Sequence, residues 1–177
     1  MSEDLVKFSL PAEFILSRVV PTPDEMVYGY RHGWIDDEGA VRVAEAELLA
    51  GMAIPAAIEE LALLLRDHRF RVADLVRAAA DELSADEGLS RCEAPERVWL
   101  YLALDWLYEH RGDFVEPLGV IEMIYADFDY PEEIEGLIRF MPARQPGAVV
   151  GRDGIVQRWC DYLAQRAGEY SVRRSSK

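Results

Sequence analysis

Hydrophobic residues along this chain recur at spacings of three and four, the period of a helix, and nowhere alternate long enough to demand a strand. The densest run is residues 98–108, VWLYLALDWLY, in which only Asp105 is not hydrophobic. Eleven residues rise about 16 Å as a helix, too short to cross a bilayer. A helix this apolar on nearly all sides predicts a buried central element. Trp99, Leu102, Ala103 and Trp106 follow i, i+3, i+4, i+7 spacing as an apolar core stripe. Arg97, Tyr101, Asp105 and Tyr108 form a second stripe with polar tips, either a hydrogen-bonded seam or one wall of a binding site.

Helix punctuation divides the rest. Residues 11–19 form a short first helix with proline in its opening turn. Thr22-Pro23-Asp24-Glu25 starts a second, with Thr22 as N-cap and Glu25 closing a capping box; it buries Met26, Val27 and Tyr30 and stops at Gly33. Trp34 and Ile35 follow as an apolar plug, and Asp36 or Asp37 caps a third helix that ends at Gly51. Pro55 opens a helix to about residue 67 with Ile58, Leu61, Ala62 and Leu65 on one face, and residues 70–83 give another with Val72, Leu75, Val76, Ala79 and Leu83 inward. Residues 84–95 read as a loop. After the central helix, Asp113 caps a helix over 115–126, and Asp129-Tyr130-Pro131-Glu132 starts one more, ending before Met141. Residues 143–151 form a loop whose 147–151 portion is the one weak strand candidate, and residues 153–167 form a last amphipathic helix.

The fold class is therefore all-α: about eight antiparallel helices, arranged as an irregular bundle or a short α-solenoid. Residues 36–67, 70–110 and 114–140 read as three helix pairs of similar size without a residue-level repeat. A single domain is expected over 1–177, with a helical core over 10–142, a loop and C-terminal helix over 143–168 and a disordered tail over 169–177.

Half of the 177 residues are hydrophobic, enough for a core without disulfides or metals, so no cofactor and no structural metal are expected. The net charge of −14 argues against nucleic-acid and anionic-membrane partners, which need clustered Lys and Arg, and favours a basic protein partner. Its distribution is uneven: residues 112–138 carry 8 acids and no Lys or Arg, and residues 139–177 carry 8 bases and 3 acids. The basic end can fold back onto the acidic segment. Cys92 and Cys160 match no metal or redox spacing and read as free thiols, and the N-terminus shows no signal-peptide pattern, so a cytoplasmic monomer is expected.

Reactive constellations are sparse. His32, His68 and His110 fall in no metal-ligand spacing, and His32 and His110 stand near helix C-termini, where a partial positive charge is structurally useful. The sharpest feature is the acidic–aromatic corner: Tyr125, Asp127, Phe128, Asp129, Tyr130, Glu132 and Glu133. Tyrosine beside carboxylate binds Arg or Lys through cation–π and charge-assisted hydrogen bonds together. The Tyr101–Asp105–Tyr108 stripe repeats that chemistry. Both sets are candidate partner-binding residues. Helix capping by Asp129 and Glu132 and a cation held by Asp127 and Asp129 are the competing explanations of the corner.

The segments PAEFILSRV, YGYRHGWIDDEGAVRVAE, VWLYLALDWLYEHRGDF and YADFDYPEEIEGLIRFMP resemble a bacterial family of small stand-alone α-helical proteins of unassigned function. The resemblance covers most of residues 10–142, and the corner around residues 125–133 is its most recognisable piece. It implies an association with polymorphic-toxin and contact-dependent inhibition loci, in which small acidic proteins serve as immunity proteins. It carries no catalytic residues. The expected function is thus a non-catalytic immunity protein that neutralises a basic toxin domain by stoichiometric binding. An α-solenoid adaptor for a peptide or helix, and a metal-dependent enzyme at Asp127 and Asp129, are the alternatives.

Overall fold

The computed structural model describes residues 9–85, 92–139, 141 and 151–175, with side chains to residue 171. Among them lie eight α-helices, three short 3-10 helices and no strand, as the hydrophobic period requires. No helix of the described residues is long and apolar enough to cross a membrane. Backbone contacts divide the chain into two compact units, Phe8–Trp99 and Leu100–Ser176; the boundary falls within one helix.

The first unit holds α1 (Ala12–Arg18), α2 (Pro23–Arg31), α3 (Asp37–Leu49), α4 (Ala56–Ala62), α5 (Val72–Ala85) and the start of α6 (Glu96–Glu109). α3 packs against α1, α2, α4 and α5, and α5 also packs against α2 and α4. The caps do what their residue types dictate. Glu25 accepts a hydrogen bond from the Thr22 N–H (2.8 Å), and Asp36 accepts from the Gly39 N–H (2.8 Å). Gly33 (φ +74°) and Gly51 (φ +69°) supply the left-handed turns after α2 and α3. Trp34 and Ile35 are buried, and the Leu10 N–H donates to the Trp34 carbonyl (2.7 Å).

Trp99 fixes how α2 sits. It is fully buried, its indole N–H donates to the Glu25 carbonyl (2.6 Å), and a Cβ built on Gly29 would lie 2.0 Å from its ring. Only glycine lets the α2 backbone approach that face.

Several expected boundaries move. α4 ends at Ala62 rather than near residue 67, and a 3-10 helix, Arg66–Arg71, takes over. Leu65, expected on the buried face, is therefore 69% exposed. Arg69 and Arg71 of this segment pair with Glu38 and Glu60, which anchors it without apolar burial. Tyr30 is half-buried rather than in the core, and its hydroxyl donates to Asp37 (2.8 Å). α5 extends to Ala85, two residues into the expected loop; residues 86–91 of that loop lie outside the described residues. The pair expected over 70–110 is divided between the units.

The second unit holds Leu100–Glu109 of α6, a 3-10 turn Arg111–Asp113, α7 (Pro117–Asp127), a 3-10 helix Glu132–Leu137 and α8 (Arg152–Ser175). Its core is built from Leu102, Leu104, Leu107, Ile121, Ile124 and Trp159 among others. Trp106, expected with the core stripe, is only half-buried; its ring stacks on His110 (4.1 Å) and meets the edge of Phe114 (6.3 Å). Pro117 opens α7 and its N-cap is Glu116 without a side-chain bond, so Asp113 does not cap it. The segment after Pro131 is a 3-10 helix rather than an α-helix, and α8 continues to Ser175, through most of the tail expected to be disordered. The strand candidate at 147–151 lies, apart from Gly151, outside the described residues.

Candidate binding corner

α7 terminates in an unusual way. Phe128 caps it, with its N–H on the Ile124 carbonyl (3.0 Å), and the Tyr130 N–H then reaches back to the Tyr125 carbonyl (2.8 Å). That closure normally uses glycine in the left-handed conformation. Here Asp129 (φ +57°) and Tyr130 (φ +59°) both adopt it, two consecutive residues with Cβ atoms. Each such residue costs on the order of 1 kcal/mol or more and persists only when its surroundings hold it. Tyr125 and Phe128 before the turn and Ile134 and Leu137 after it are buried, and the Tyr125 ring meets that of Tyr130. Pro131 follows, and the residue before a proline is kept out of the right-handed helical region, so α7 cannot run on.

The result separates the two tyrosines. Tyr125 is buried, whereas Tyr130 is 60% exposed and meets the Tyr125 ring edge-on with centroids 5.2 Å apart. Asp129 and Glu132 are exposed beside it, and Asp127 is half-buried. Asp129 is not an N-cap: the cap of the following 3-10 helix is Pro131, with no side-chain bond, so the expected capping box does not form.

Glu133 faces inward. Arg166 of α8 closes on its carboxylate, with side-chain exposures of 11% for Arg166 and 20% for Glu133. Arg166 also holds Glu169 (2.7 Å) and lies over the Tyr162 ring (5.5 Å). Burial, with the Glu133 charge beside it, pushes the Tyr162 hydroxyl well above its ordinary pKa. Glu133 is therefore a structural tie, not part of the exposed corner.

Arg139 repeats the pattern. Its guanidinium grips both Glu122 oxygens (2.7 and 3.0 Å) and approaches Glu116 (3.6 Å), which Arg152 also approaches (3.9 Å). Arg139 holds the Glu122 carboxyl below the usual carboxylate range. Three acids of the 112–138 segment, Glu116, Glu122 and Glu133, thus meet arginines from residue 139 onward, the fold-back that the charge distribution anticipates.

The Tyr101–Asp105–Tyr108 stripe is a seam. Tyr101 is buried with its ring stacked on Tyr170 (5.2 Å), and Tyr108 meets Trp159 edge-on (5.0 Å) under the Arg111 guanidinium (4.3 Å). Asp105 is half-buried between them in sequence. The aromatic faces expected to bind a partner are used against α8 and Arg111.

Two features of the first unit escape a reading of the sequence. One is a cavity of about 300 Å³ lined by Asp24, Tyr28, Arg31, His32, Ser84 and Cys92 among others. In it the His32 ring stacks on Tyr28 (4.1 Å) and the Cys92 N–H donates to Asp24 (3.0 Å). Cys92 and Cys160 are both free thiols. The other is a pair of buried acids, Glu25 and Glu47. The available signal for Glu47 is its position four residues after Val43, on the stripe that helical spacing places inward.

No curated protein and no solved structure matches the chain. Residues 12–167 match a family described as uncharacterized protein conserved in bacteria (DUF2247), a span that includes every helix from α1 to α7, the corner and most of α8. The chain belongs to the DUF2247 family.

Proposed function

We propose that this protein works by binding, that its contact surface is the corner around Tyr130, and that its partner is a basic protein. The observation that carries this reading is the exposed Tyr130 ring, held by two consecutive left-handed residues. A backbone that accepts such strain keeps the aromatic in one place, and a preorganised aromatic anchor loses little freedom on binding. Asp129 and Glu132 beside it supply the negative rim that steers a basic partner.

The net charge of −14 supports a partner of opposite sign. The finer reading is that the partner is a bacterial toxin domain, neutralised by stoichiometric cover. It rests on the association with toxin–immunity loci that the resemblance of the four segments to a family of unassigned function implies. A tagged protein recovered from its native bacterium should retain a basic polypeptide that arrests growth when expressed alone. Coexpression of the wild type should restore growth, and Tyr130→Ala should not. A partner that is harmless alone supports the adaptor alternative. Equal rescue by a folded Tyr130→Ala variant moves the contact surface elsewhere.

A further inference from the structure

Glu47 of α3 is fully buried, and neither carboxyl oxygen has a hydrogen-bond partner among the described residues. A buried carboxylate without a partner is too costly to keep charged; the inexpensive form is the neutral acid. We propose that Glu47 is held as a neutral carboxylic acid in the first unit, and that its ionisation loosens the packing of α3 on α2. This is a proton-linked conformational switch, independent of the corner described above.

Among the described residues, the charged groups of the helices packed on α3 are engaged elsewhere, exposed or of like sign. α2 contributes Glu25, itself 1% exposed, whose charge opposes that of Glu47. Glu25 is already engaged by the Thr22 N–H and the Cys92 thiol, which donates over 3.7 Å. The other charged groups of α2 are Asp24, which accepts from the Cys92 N–H, and exposed Arg31. On α1, Glu13 pairs with Arg42 of α3, and Arg18 is occupied by Ser17 and the Phe14 ring. On α4, Glu60 pairs with Arg71 and Glu59 is exposed. On α5, Asp74 and Arg77 pair with each other, Glu82 accepts from the Ala57 N–H, and Asp81 is exposed. On α3 itself, Asp37, Glu38 and Glu45 are exposed, with Asp37 bound by Tyr30 and Glu38 by Arg69. Desolvation, reinforced by Glu25, accordingly pushes the Glu47 carboxyl well above the usual range.

The sign follows from linkage. The unfolded chain releases the Glu47 proton near the ordinary carboxylate pKa, and the folded chain retains it. Stability is therefore greatest below that value and falls as pH rises toward the folded pKa. In the full-length protein, melting followed from about pH 5 to about pH 7 should show a decline of roughly 3–5 °C per pH unit. Glu47→Gln, which cannot ionise, should remove that decline. An equal decline in Glu47→Gln overturns the proposal. Carbon-13 NMR of carboxyl-labelled glutamate in the wild type reads the same group without a substitution. One resonance should keep the protonated chemical shift after the ordinary glutamates have ionised, and move only at higher pH. If all glutamate resonances titrate together in the ordinary carboxylate range, Glu47 is not held neutral and the switch does not exist.

Discussion

Arg166 closes on the Glu133 carboxylate at the start of the 3-10 helix Glu132–Leu137, and so ties α8 to the segment that follows the corner. This contact separates the acids that hold the corner together from those that are displayed. Replacing Glu133 with Gln should destabilise the protein by about 1 kcal/mol, because Arg166 keeps Glu169 and loses one charge-assisted bond. Urea unfolding measures it. An unchanged midpoint would show that the pair contributes nothing.

The two tryptophans of α6 should respond differently to truncation. Trp99 is fully buried and bonded to Glu25, so Trp99→Ala should cost roughly 3–5 kcal/mol. Trp106 is half-buried beside His110 and Phe114, and Trp106→Ala should cost about 1–2 kcal/mol, less than a core aromatic. Chemical denaturation of both variants ranks them. Equal losses would place Trp106 in the core after all.

Asp129 gives a prediction of opposite sign to that of a helix cap. Its φ of +57° suits glycine, so Asp129→Gly should stabilise the fold by roughly 0.5–1 kcal/mol. A thermal melt that drops instead would mean that the Asp129 carboxylate makes a contact worth more than the strain it bears.

Glu122 sets an acid limit. Arg139 lowers its folded pKa, so the contribution of this pair is present above the ordinary carboxylate value near 4.5 and is lost as pH falls through the lowered one. Glu122→Gln should be less stable than wild type by about 0.5–1 kcal/mol at neutral pH, with the gap closing in acid. Parallel stability curves across that range would contradict the assignment.

The helix starts were legible because their signals are local. Thr22 with Glu25, Asp36 with Gly39, and the glycines at 33 and 51 each act within a turn of chain. The 3-10 segments were not, since Arg66–Arg71 is held by Glu38 and Glu60 from elsewhere in the chain. The charge fold-back could be anticipated from composition, but its pairing of Arg166 with Glu133 depends on where α8 lies. The acidic–aromatic corner was visible as residues 125–133, but which tyrosine it displays depends on the left-handed backbone at Asp129 and Tyr130, which no glycine announces. Tyr101, the candidate on the central helix, has the opposite fate: it is buried with its ring stacked on Tyr170.

Site-specific photocrosslinking at position 130 tests the binding corner most directly. A benzoylphenylalanine placed there in the native bacterium, with the same probe at exposed Val115 as control, reports what touches each site in the cell. The corner reading predicts a single adduct with a basic protein at position 130, weakened by raised salt and by Glu132→Gln, and none at position 115. No adduct at 130, or the same adduct from both positions, would contradict it.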